Sequence, residues 1–188
     1  MLPGMKTSFK VHGAIAGGAS AVLLSLAALT WVPGVWLSKE AGTAAMVLGG
    51  VLLFPVFGAA LIRALLARAT KAELWHAFRC LPGTVQLALA TLLVSGFVIG
   101  GMGAGGAAGL QDASIENGRY YAFEATPGHR GRTEISRSEY LAVVRGDLRM
   151  MLAIPGVLFA GAAFHVLATG ELRRADAANA AAGHAVRR

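Results

Sequence analysis

Long apolar runs alternate with short charged segments along this chain. No Asp, Glu, Lys or Arg occurs across 11–38, 41–62, 80–111 or 150–170, runs of 28, 22, 32 and 21 residues. A helix needs roughly 20 mostly apolar residues to cross about 30 Å of hydrocarbon, so every run is long enough. The pattern predicts four transmembrane helices, near 13–36, 42–63, 84–108 and 149–169. It divides the chain into 1–109 (helices 1–3, with a short interfacial helix near 70–80), a cap over 110–148, helix 4 over 149–170 and a tail over 171–188. The expected fold class is an all-α membrane protein, with a small β-ribbon cap between helices 3 and 4. The first run resembles a signal sequence in having Lys6 and Lys10 before it. Its apolar stretch exceeds the roughly 7–15 residues usual for a cleaved segment, so a retained helix is expected.

The connections carry their own signals. Thr70 and Glu73 have capping-box spacing, in which each side chain satisfies a free backbone N–H of the other. Leu74, Trp75 and Phe78 follow, which predicts a short helix with its apolar side in the headgroups and Lys71 and Arg79 facing phosphates. In the cap, Asn117-Gly118 is a type I′ hairpin signal, and Thr126-Pro127-Gly128 marks a second turn. Ser136 and Glu139 form another capping box, after which Tyr140, Val143, Val144 and Leu148 recur at helical spacing. A two- or three-stranded ribbon followed by a helix running into helix 4 is therefore expected. The Ala-rich tail is expected to extend helix 4 briefly before fraying.

Composition sharpens this picture. Charged residues are 14% and hydrophobic residues 55% of the chain, against about one quarter charged in a soluble domain. The net charge of +7 is not gathered on one face, as a polyanion would require, so no nucleic-acid partner is expected. Ten of the 17 Lys and Arg lie in the segments before helix 1, between helices 2 and 3, and after helix 4. Basic residues mark the cytoplasmic side of short loops, so both termini are expected to be cytoplasmic. The Ala- and Arg-rich composition suggests a GC-rich bacterial genome, and the expected location is a bacterial inner membrane. Trp31, Trp36 and Trp75 fall where amphipathic rings favour the headgroup region.

Helix 3 is rich in glycine. Gly96 and Gly100, Gly101 and Gly105, and Gly105 and Gly109 all have small-xxx-small spacing, which lets helix backbones approach closely in lipid. The spacing serves either packing within the chain or a self-association face; intramolecular packing is the preferred reading. Pro55 and Pro155 can each kink a helix and free a backbone carbonyl for a neighbour.

Candidate chemistry is sparse. The middle of each span lacks Asp, Glu, Lys and Arg, the usual markers of proton transport or intramembrane catalysis. His165 lies near the inner end of helix 4 and is read as a neutral histidine in preference to a proton relay. Cys80 is the sole cysteine, which excludes an intrachain disulfide. The histidines show no paired metal-ligand spacing, so no metal is expected. No phosphate loop or dinucleotide fingerprint occurs either, and no cofactor is expected. Ser136 or Ser138 with His129 could be paired as nucleophile and base, but Ser136 is better explained as a cap. The densest polar group is in the cap: Arg119, Tyr120, Tyr121, His129, Arg130, Arg132, Glu139 and Tyr140. Tyrosine and arginine suit contact surfaces, because both combine area with directed hydrogen bonds. These eight residues are the candidate partner contacts.

The order Gly118-Arg-Tyr120-Tyr121, His129-x-Gly131, Thr133-x-Ile135-Ser136 and Glu139-Tyr140 before a membrane helix resembles small bacterial membrane proteins of unassigned function. Pro127-Gly128 and the inserted Arg130 depart from the tighter Asn-His-Gly turn of that group. The resemblance spans about 30 residues and implies an extracytoplasmic ribbon, not an activity. The leading expectation is a non-enzymatic accessory, sensor or immunity-type protein whose cap meets a protein partner. The rival is a homo-oligomeric channel or small permeation unit packed through the helix 3 glycines. Membrane lipids are partners under both readings.

Overall fold

The computed structural model describes residues 4–32, 38–104 and 109–186. Five helices and three strands follow in the order α1 (Thr7–Leu29), α2 (Lys39–Ala67), α3 (Lys71–Arg79), α4 (Gly83–Ala104), β1 (Leu110–Glu116), β2 (Arg119–Glu124), β3 (Gly131–Ile135) and α5 (Arg137–Val186). The chain is thus mostly helical, with a small three-stranded sheet late in the sequence. Four helices, α1, α2, α4 and α5, are long and apolar enough to cross a membrane. Trp36, Gly105, Arg187 and Arg188 lie outside the described residues.

α5 is the central element. Its 50 residues extend about 75 Å at roughly 1.5 Å per residue, continuing without a break through Pro155. The cap helix, the fourth apolar run and the tail are therefore one helix. The tail, expected to fray soon after the apolar run, stays helical to Val186; its alanines are the strongest helix formers and sustain it. Each of α1, α2, α3 and α4 packs on α5, as do β1 and β2. Small residues make this close approach feasible. Ala153, Gly156, Ala160 and Ala163 recur every three or four positions and are all buried. α1 runs antiparallel to α5, and large side chains of each enter gaps at glycines of the other. Leu24 fills the space over Gly156, where a Cβ would come 2.8 Å from its Cδ2, and Leu167 covers Gly13 at 2.6 Å. Phe9 closes on Gly170 in the same way. The imidazole Nε2–H of His12 donates to the Val56 carbonyl at 2.9 Å, tying α1 to α2 one residue beyond Pro55.

The capping box of α3 is present: Thr70 N–H donates to Glu73 Oε2 at 2.7 Å, and Glu73 N–H donates to Thr70 Oγ1 at 3.3 Å. Its apolar side departs from expectation. Leu74 and Ala77 are buried with Ala168 of α5, and Phe78 meets Phe164 with ring centres 5.2 Å apart. The small Ala168 leaves room for α3 to dock on protein, and of Leu74, Trp75 and Phe78 it is Trp75, stacked on Phe78, that is exposed.

The sheet has the order β1-β2-β3, antiparallel throughout. Asn117 and Gly118 have φ of 49° and 77°, the left-handed pair that a type I′ turn requires. A bulge interrupts β1 between Gln111 and Ser114, and there Asp112 N–H donates to Asp147 Oδ2 of α5 at 3.1 Å. Ala113 packs with Val143, Val144 and Leu148. The Asp112–Asp147 hydrogen bond and this apolar cluster both hold the cap on α5.

Candidate functional site

Alternation along β2 divides the cap candidates between two faces. Tyr120 pairs in register with Ile135 and turns toward α5, where its ring lies 5.1 Å from that of Tyr140. Arg119, Tyr121 and Phe123 alternate onto the other face, opposite Glu134 and Arg132 of β3. Arg132 crosses the whole sheet. Its guanidinium stacks 4.3 Å from the Tyr121 ring centre, pairs with Glu116 of β1 and donates to Ser114 Oγ at 3.5 Å. Hydrogen bonding to the Glu116 carboxylate raises its pKa above the ordinary arginine value. Arg119 and Glu134 form a second ion pair at 3.3 Å.

The remaining cap candidates stand apart. His129 and Arg130 are exposed in the β2–β3 connection, where His129 N–H donates to the Thr126 carbonyl at 3.0 Å. Glu139 is engaged in capping: its Oε2 accepts from Ser136 N–H at 2.7 Å, and its own N–H donates to Ser136 Oγ at 3.2 Å. Ser136 Oγ also lies 2.9 Å from Ser138 Oγ, so the serine hydroxyls are occupied with each other and with the helix start. The structure therefore gathers Arg119, Tyr121 and Arg132 on one outward surface, places Tyr120 and Tyr140 behind it, and leaves His129 and Arg130 on a loop. Phe123, 41% exposed, belongs to the outward surface and was not among the candidates. The period-two pattern Arg119, Tyr121, Phe123 is the signal that identifies it.

The glycines of α4 also divide. A Cβ at Gly96 would overlap Val157, and one at Gly100 would come 3.8 Å from Ala153 Cβ, so both face α5. Gly101 has open space within 4 Å. It lines a shallow apolar groove of about 340 Å³ with Phe97, Ile154 and Leu158. Gly109 lies beyond α4 with φ of 86°, and its carbonyl accepts Ala125 N–H at 2.8 Å, closing the cap rather than packing helices. Among the described residues no three His, Cys, Asp or Glu side chains converge to hold a metal ion.

No protein-family model matches the chain, and neither a curated protein nor a solved structure is significantly similar to it.

Proposed function

We propose that this chain is a multi-pass protein of a bacterial cytoplasmic membrane, with both termini inside, that acts as a non-enzymatic accessory or sensor protein. A protein partner meets its cap outside the membrane, on the surface formed by Arg119, Tyr121, Phe123 and Arg132. One observation carries the reading: α5 begins in the cap, contacts every other helix and ends beyond the far side of the apolar bundle. A force or displacement at the cap then has a continuous helical element through which to reach the other side. The gathering of basic residues at the tail end supports the orientation.

Native mass spectrometry after extraction with surrounding lipid from the source cell tests the proposal. The expected result is a stoichiometric foreign protein, lost when Tyr121→Ala and Arg132→Ala are combined. A protein recovered without any partner, and a phenotype unchanged by those substitutions, overturns it. The second reading, a homo-oligomeric channel, draws on Gly101, whose open surroundings leave room for a neighbouring helix. It expects Gly101→Leu to dissociate the oligomer; a monomer in native lipid ends it.

A further inference from the structure

Three helices reach one level at the tail end of the bundle. α1 begins at Thr7, α2 ends at Ala67, and the charge-free run of α5 ends at Gly170. Residues from all three line a single cleft of about 430 Å³. Phe9 and Leu66 give it apolar lining, Phe9 buried with the Arg63 guanidinium over its ring and Leu66 71% exposed, while Lys6, Arg173, Arg174 and Asp176 are its charged lining residues. Arg174 is engaged: it pairs with Glu171, which is 5% exposed. Its stem lies over Gly4, where a Cβ would come 3.2 Å from Arg174 Cδ. Lys6 and Arg173 are exposed and have no ion pair among the described residues. Two cations without an ion pair among the described residues thus share the cleft with apolar side chains and with Asp176, at the level where the apolar helices give way to charge.

That combination selects an amphiphile. A free phosphate would use the cations and leave Phe9 and Leu66 without a role. A zwitterionic lipid brings its own cation beside the phosphate and meets Lys6 and Arg173 with repulsion. An anionic phospholipid matches both halves of the cleft, and basic pockets between membrane helices are suited to such headgroups. We propose that this cleft binds one anionic phospholipid, its phosphate between Lys6 and Arg173 and the start of an acyl chain against Phe9 and Leu66. The proposal rests on the reading that the four apolar helices span a membrane.

The test uses the full chain reconstituted in vesicles of equal phosphatidylglycerol and phosphatidylcholine, with bound lipid counted by native mass spectrometry. The expected result is preferential retention of one phosphatidylglycerol. Removing both cations, Lys6→Gln with Arg173→Gln, is expected to weaken that retention by about tenfold or more, as the loss of even one hydrogen bond between charged groups would. Both side chains are exposed, and unchanged circular dichroism establishes that the variant is folded; Lys6→Arg is expected to retain the lipid. The charge-matched variant Lys71→Gln with Arg79→Gln, on α3 at the same end of the molecule, is expected to keep the preference. Equal loss in both double variants would mean diffuse surface attraction and overturns the site. So does insertion without any preference for phosphatidylglycerol, and so does displacement of the lipid by inorganic phosphate. Failure to enter the vesicles at all overturns the membrane reading itself, a result distinct from the other three.

Discussion

α2 and α5 contain the two most apolar windows of the chain, yet 11% of the α2 window and 56% of the α5 window is buried inside the molecule. Hydropathy measures the cost of leaving a helix in water. It does not separate a central helix from a peripheral one, because lipid tails are as apolar as leucine. The distribution of side-chain size makes that separation. α5 presents Ala153, Gly156, Ala160 and Ala163 to its neighbours, so backbones approach closely and Leu24 of α1 fits over Gly156. α2 turns Phe54, Leu65 and Leu66 outward, at 80%, 75% and 71% exposure. The helix that touches every other one buries small residues beside large ones such as Phe159 and Leu152; the helix at the edge turns large ones to the surroundings.

The comparison is most directly broken by truncating one phenylalanine in each helix. Phe159 of α5 is fully buried and Phe54 of α2 is 80% exposed. Phe159→Ala is expected to cost about 3–5 kcal/mol, the usual result of emptying a core phenylalanine site. Phe54→Ala is expected to fall within about 0.5 kcal/mol of the parent, as for other surface changes. Denaturant titration in micelles, followed by tryptophan fluorescence, measures both. A large loss at Phe54 would mean that another chain covers α2.

A smaller effect separates two glycines of α4. Gly96→Leu forces a side chain into Val157 and is expected to destabilise by about 1–3 kcal/mol, as overpacking does. Gly101→Leu meets open space and is expected to leave the stability of the monomer unchanged in the same titration. Loss at Gly101 comparable to that at Gly96 would place a neighbour in the groove and favour the oligomeric reading.

Local features of the fold were legible where a short stretch of chain determines them. Charge-free runs located the four long helices, Asn117-Gly118 located the hairpin, and both capping boxes were readable from a Thr or Ser followed three residues later by Glu. Features that depend on distant partners were not. Gly96 and Gly101 share a composition and a motif, and only the position of α5 makes one a contact and the other a surface. The same holds for Leu74 and Phe78, whose apolar side could serve lipid or protein until Ala168 lies against it. In the cap, alternation separates Tyr120 from Tyr121, but packing on α5 determines which of the two faces outward. The lipid cleft is the extreme case: Lys6, Leu66 and Arg173 come from three remote segments, and the sequence offers them only as separate charges and an apolar residue.

Next in size is the removal of the α3 cap. Thr70→Ala eliminates the hydroxyl that accepts Glu73 N–H and is expected to cost about 1 kcal/mol, the usual value of an N-cap. The loss should appear in the first turn of α3, read by amide hydrogen exchange. Leu74 and Ala77 still dock on α5, so the C-terminal turn is expected to keep its protection. Collapse of protection through all of α3 would show that the cap, and not the contact with α5, holds this helix.

The smallest expected effect is one of pH, and it isolates the same question without changing the chain. Glu73 has a pKa below the ordinary carboxyl value of 4.5, chiefly because its carboxylate accepts Thr70 N–H and secondarily because it accepts the Thr70 hydroxyl. A carboxylate with a lowered folded pKa adds stability that is fully present above the unfolded value and is lost as pH falls through the folded one. Protection factors in the first turn of α3, corrected for intrinsic exchange, are therefore expected to be constant from neutral pH down to the ordinary carboxyl range and to decline below it. Glu73→Gln keeps a side chain able to complete the box but removes the titration, so its protection should be lower at neutral pH and flat across the acid range. A decline of equal size in the glutamine variant would assign the acid sensitivity to other groups. The contact of α3 with α5 would then remain as the feature that holds the helix in place.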